Sequence, residues 1–114
     1  MSPEVLVAVN AARKVLGLRP LRGMPAGRQK DACYCPLANA LGGAGEVFSF
    51  GFRLYEGLGL DATPEQLAHE IASAWGTYRL GREATLPQSL RQFVSDFDKG
   101  KYRHLEEPKE NQVA

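Results

Sequence analysis

The sequence predicts a helix-dominated α+β domain, with about four helices around a minimal two-stranded antiparallel sheet. Three observations predict it. Apolar residues recur at helical spacing in three stretches, near residues 5–16, 67–78 and 90–97. Residues 47–55 alternate with a period of two, the signature of a half-buried strand. The chain has 114 residues, is 44% hydrophobic and 24% charged, and so amounts to one ordinary globular domain. A chain of this size buries roughly two-thirds of its unfolded surface and needs neither disulfide nor metal to fold.

The first helix starts at Ser2-Pro3-Glu4: Ser2 is placed to cap, Pro3 suits the first position, and Glu4 complements the helix dipole. Val5, Leu6, Val9, Ala12, Val15 and Leu16 follow at helical spacing, and Gly17 stops the run. Residues 17–32 hold Pro20, Gly23, Pro25 and Gly27 and keep no period, so they read as a long basic loop. A short helix begins at Pro36 and ends at the glycines of Gly42-Gly43-Ala44-Gly45.

Phe48, Phe50, Phe52 and Leu54 alternate next, with Gly51 weakening the strand. A lone strand leaves its backbone unsatisfied, so it needs a partner. Residues 83–86 are the internal candidate, and a second copy of the chain is the other. Thr63-Pro64-Glu65-Gln66 is a capping-box start for the third helix, whose stripe is Leu67, Ile71, Ala74, Trp75 and Tyr78. The fourth runs from Pro87, with Leu90, Phe93, Val94 and Phe97 on one face and Gly100 at its end. The globular domain is placed at residues 1–104, and the polar residues 105–114 read as a disordered tail. The expected core is Val5, Leu6, Val9, Leu16, Leu37, Leu41, Phe48, Phe50, Phe52, Leu67, Ile71, Trp75, Leu90, Phe93, Val94 and Phe97.

The residues that hint at chemistry cluster at Asp31-Ala32-Cys33-Tyr34-Cys35-Pro36. Cys35 stands where a helix begins, and a thiol there meets orphan N–H groups that favour a thiolate. Arg28 or Lys30 nearby would lower its pKa further. A catalytic thiol also needs a base, and the two histidines are poorly placed. His69 falls off its helix's apolar stripe, and His104 lies past the last helix. The competing reading makes Cys35 a small, partly buried capping residue and Cys33 a packing residue.

Zinc is a poor fit. Cys33 and Cys35 are one residue apart, closer than the usual ligand spacing, and no His-x₃₋₅-His pair exists. A mutual disulfide is strained at that spacing, so both are read as reduced thiols. The glycines at 42–45 follow a helix and precede Glu46, the wrong order and charge for a phosphate loop. Asp96 and Asp98 are two apart on a helix and do not face each other. A stacking platform on Phe48, Phe50 and Phe52 would want basic residues on the same face, and an extended strand turns Arg53 to the other. No cofactor is implied.

Charge is balanced overall at +1 but unevenly spread. Residues 1–45 carry six basic residues against two acidic ones. That half offers Arg19, Arg22, Arg28 and Lys30 as a surface for an acidic partner or phosphates.

The Cys35-Pro36-Leu37-Ala38 helix start and the late Phe97-Asp98-Lys99-Gly100-Lys101-Tyr102 segment resemble those of small uncharacterised proteins of actinobacteria and their phages. The resemblance covers about a third of the chain and brings no activity or ligand. It implies a small accessory protein that acts by binding.

The expected function is that of a small non-enzymatic interaction protein. It binds a protein partner through Arg19, Arg22, Arg28 and Lys30, or forms a homodimer sharing the lone strand. One alternative is a nucleic-acid binder using the basic N-terminal half. The other is a thiol-dependent enzyme or redox sensor at Cys35. The N-terminus has no signal-peptide pattern, and the apolar runs are short of the ~20 residues a membrane span needs. The expected setting is therefore cytoplasmic.

Overall fold

A computed structural model describes residues 3–77 and 83–107. In chain order these form α1 (Pro3–Val15), α2 (Pro36–Ala40), β1 (Gly45–Val47), β2 (Gly51–Leu54), α3 (Pro64–Ala74), β3 (Ala84–Thr85), α4 (Gln88–Asp98) and a 3₁₀ turn (Arg103–Leu105). This is the α+β, helix-dominated architecture the sequence predicts, with three strands rather than two.

Each helix begins where local chemistry allows it. Three have proline at the first helical position, where no N–H is missed, and α4 has Pro87 just before it. Cys35 caps α2, its Sγ accepting the Ala38 N–H at 3.4 Å. Thr63 and Gln66 close a full capping box on α3, with Gln66 N–H donating to Thr63 Oγ1 at 3.2 Å and Thr63 N–H to Gln66 Oε1 at 2.9 Å. α4 has the cleanest amphipathic pattern, burying Leu90, Phe93, Val94 and Phe97. The Ser2 cap and Tyr78 lie outside the described residues.

The sheet corrects the sequence reading. Residues 47–55 are not one strand but most of a hairpin: β1, a turn at residues 48–50, then β2. Phe48 N–H donates to the Gly51 carbonyl at 2.7 Å and closes the turn. β2 is therefore central, antiparallel to β1 on one side and to β3 on the other, with Gly51 opposite Thr85 and Phe52 opposite Ala84. The internal partner at residues 83–86 is the one the chain uses. A period of two cannot distinguish a strand from a turn whose ends repeat the same residue type, and three phenylalanines hid the reversal.

Phe52 stays in the core, but Phe48 is half-buried and Phe50 is 56% exposed. Leu6 and Trp75 are also half-buried rather than central. The other expected core residues are buried, joined by Met24, Ala38, Val47, Leu86 and Leu105. Trp75 packs edge-on against Phe52, ring centroids 5.0 Å apart, and its Nε1–H donates to the Ala8 carbonyl at 2.6 Å.

The basic loop is stitched down along its length. Asn10 makes a two-way pair with Leu21, Nδ2–H donating to its carbonyl at 3.0 Å and Oδ1 accepting its N–H at 2.7 Å. Asn39 Nδ2–H donates to the Ala26 carbonyl at 2.8 Å. Gly27 exchanges backbone bonds with Leu105 and Glu107, at 2.8 and 3.0 Å. Of the expected tail, residues 105–107 are built into this contact, and Leu105 is buried; residues 108–114 lie outside the described residues.

Candidate partner-binding surface

The four basic loop residues divide into two pairs. Arg28 and Lys30 sit where the loop meets the C-terminal end of the described chain. Arg28 bonds to Glu107 at 3.0 Å and lies over the Tyr34 ring, 4.9 Å from its centroid. Lys30 is held in a left-handed turn, φ 53°, by its N–H donating to Asp98 Oδ1 at 2.9 Å. Asp31, Asp96, Asp98, Glu106 and Glu107 share this end with Arg28, Lys30, Lys99, Lys101 and Arg103, so its charges balance.

Arg19 and Arg22 sit elsewhere, beside the last turns of α1. Arg13 Nε–H donates to the Arg19 carbonyl at 2.6 Å, and a second guanidinium N–H donates to Ala40 at 2.7 Å. With Leu21 pinned to Asn10, these bonds bring Arg19 and Arg22 to the end of α1 that carries Lys14. All three side chains are exposed, and none makes an ion pair among the described residues. The sequence signal is a run from residue 5 to 30 with no Asp or Glu. That run also points to Lys14, which the loop-centred reading missed.

The two thiols face different surroundings. Cys35 is 3% exposed, and burial pushes its pKa up. The N–H groups of Ala38 and Leu37 pull the other way, while the carboxylates of Asp98 and Asp31 add to the rise. Desolvation dominates, so the cap geometry is present without an activated thiolate. The charges that act on the thiol are these two carboxylates, although Lys30 lines the same small cavity. His69 lies on α3, and His104 stacks edge-on with Tyr102, 6.3 Å between centroids.

Cys33 Sγ is at the surface, 3.2 Å from Tyr55 Oη, which is 3.5 Å from Glu46 Oε1. Among the described residues no group of three or more His, Cys, Asp or Glu side chains is arranged to hold a metal ion. Asp96 and Asp98 separate as well. Asp96 takes hydrogen bonds from Gln92 and Lys101, which hold its carboxyl below the usual range, and Asp98 anchors Lys30.

The hairpin makes a second exposed feature. Phe48 and Phe50 stack, centroids 6.1 Å apart. Arg53 lies 5.8 Å from the Phe48 centroid while bonding Glu46 at 2.6 Å. The extended reading put Arg53 on the opposite face from Phe48; the hairpin brings them together, because Glu46 pairs with Arg53 across the strands. It also makes β2 central, so the lone strand proposed for sharing between two copies is already paired on both sides.

No helix among the described residues is long and apolar enough to cross a membrane. No family model matches the sequence, and comparison with curated proteins and with solved structures finds no match.

Proposed function

We propose that the protein is a small non-enzymatic interaction protein, and that an acidic surface of a protein partner docks on Lys14, Arg19 and Arg22. The observation that carries this reading is three exposed cations at one corner, with no acidic partner among the described residues. Elsewhere Arg28, Arg53 and Lys101 are each offset by a carboxylate within 3.4 Å. Unpaired like charges repel one another, and their most direct use is complementarity to another molecule. A cytoplasmic accessory role, of the kind the resemblance to actinobacterial and phage proteins implies, belongs to the same proposal.

The test is retention of proteins from a cell lysate on the immobilised protein, with and without nuclease, against an Arg19→Glu/Arg22→Glu variant of equal melting temperature. A protein retained by the parent in both arms and lost by the variant supports the reading. Equal retention by both moves the surface elsewhere.

A nucleic-acid reading uses the same corner, and the exposed Phe48–Phe50 stack favours it. Retention that disappears with nuclease, and affinity that falls with salt in proportion to about three phosphate contacts, would replace the protein partner.

A further inference from the structure

Residues 105–107 lie along the basic loop as a strap. Gly27 N–H donates to the Leu105 carbonyl at 2.8 Å, and Glu107 N–H donates to the Gly27 carbonyl at 3.0 Å. Gln29 Nε2–H donates to Glu106 Oε1 at 2.9 Å, and Arg28 bonds Glu107 at 3.0 Å. Leu105 is buried, while Glu106 is extended and bridges Gly27 in parallel. The strap therefore offers one apolar residue and then two acidic ones to a short edge.

The two sides of this seam are held unequally. The receiving side has anchors of its own. Asn39 Nδ2–H donates to the Ala26 carbonyl, Arg28 N–H to the Tyr34 carbonyl, and Lys30 N–H to Asp98 Oδ1. The Arg28 guanidinium also rests on the Tyr34 ring. None of these contacts involves the strap. Among the described residues, every hydrogen bond of residues 105–107 outside their own turn goes to Gly27, Arg28 or Gln29. An open cavity of about 360 Å³ follows the seam, lined by residues 27–31 and both glutamates, so the seam is not close-packed.

Lifting the strap would strip partners from the Gly27 N–H and carbonyl, the Gln29 amide and Arg28, around the hole left by Leu105. Gly27 is buried, and buried polar groups without partners are costly. The edge is thus built for an occupant.

We infer that the edge from Gly27 to Gln29 is a docking site for an extended acidic segment of a partner protein, and that Leu105-Glu106-Glu107 holds its place. The partner segment has an apolar residue followed by two acidic ones and runs parallel to residues 27–29. Three features select it. The chain's own occupant has this pattern and direction. Arg28 and Gln29 offer a cation and an amide donor to successive carboxylates. The Arg28–Glu107 pair is 46% and 30% exposed, so solvent screens it and its exchange costs little. The site is separate from the corner of Lys14, Arg19 and Arg22 and does not rest on it.

The probe is a fluorescein-labelled synthetic peptide copying residues 101–107, followed by anisotropy. A control peptide carries Lys at both glutamate positions. In the parent chain the strap competes, and apparent affinity falls with the fraction of molecules in which it is lifted. Leu105→Asp in the full chain puts a charge in the apolar hole and should raise peptide affinity about tenfold or more. Adding Arg28→Glu should abolish binding, and the control peptide should not bind. Adding Arg19→Glu/Arg22→Glu instead should leave binding unchanged, which separates this site from the basic corner.

A folded Leu105→Asp chain that ignores the peptide overturns the site, because the seam is then a closure only. Equal binding of the two peptides overturns the charge reading. If Leu105→Asp unfolds the chain, amide exchange in the parent decides. The Gly27 and Glu107 amides should exchange well before those of α3, by local opening. Protection equal to that of α3 means the strap does not lift and overturns the site. A concentration-dependent dimer that Glu106→Lys/Glu107→Lys dissolves gives the edge to the strap of a second copy instead.

Discussion

Tyr55 and Cys33 show how one contact sets a side chain's chemistry. The 3.2 Å approach of Tyr55 Oη to Cys33 Sγ is the chief reason the phenol is pushed up to about 12; desolvation and nearby negative charge add to it. A raised phenol binds its proton more tightly in the folded state than in the unfolded one. Its contribution to stability is therefore complete below the ordinary value of 10.0 and is lost as pH rises from there toward 12. In an ultraviolet titration of the native protein, one tyrosine should ionise near pH 12, and Cys33→Ala should bring it back toward 10. A titration unaffected by Cys33→Ala would mean that the sulfur does not hold the proton. Little of this was legible in the sequence, because Tyr55 and Cys33 are 22 residues apart and meet only through the hairpin. The role of Cys35 as a cap was legible, since it depends only on the proline that follows. The rise in its pKa was not, because burial is a property of the packed molecule.

Among the elements, those fixed by neighbours in sequence could be read in advance. The capping box of α3 needs only Thr63 and Gln66, three residues apart. Thr63→Ala should cost about 1 kcal/mol in denaturant unfolding, with the native helix content retained. A loss below a few tenths would show that packing of Leu67 and Ile71 holds the helix start without the cap. The hairpin is the opposite case. Phe48, Phe50 and Phe52 satisfy the strand pattern equally well whether the chain continues or reverses. Gly51 adds a constraint from far along the chain, the close approach of the Ala84 carbonyl, which leaves no room for a side chain there. That approach exists only once β3 has docked. Val7 turns outward between Val5 and Val9, which face inward on the same helix.

Across the whole molecule, the N-terminal third and the C-terminal end of the described chain fold against each other. Gly27 makes this possible. A Cβ there would fall on the backbone of Cys35 and Pro36, neither of which is a flexible side chain that can yield. Gly27→Ala should therefore cost about 1–3 kcal/mol, the range for overpacking, and show as a lowered midpoint in chemical unfolding. An unchanged midpoint would mean that the loop can lift away from α2 at no cost. The composition of residues 17–32 marks a loop without saying whether it is ordered. The bonds that organise it come from Asn10, Asn39, Asp98 and residues 105–107, none of which a reading of the loop itself can see.

The parallel bridge between Gly27 and Glu106 ties the end of the described chain to the segment that carries the basic corner. A protease trimming the chain back past residue 105 would cut no α-helix and no strand of the sheet. It would still remove the Leu105 and Glu107 partners of Gly27 and the Glu106 partner of Gln29. Damage done at one terminus would be felt as slack near the other.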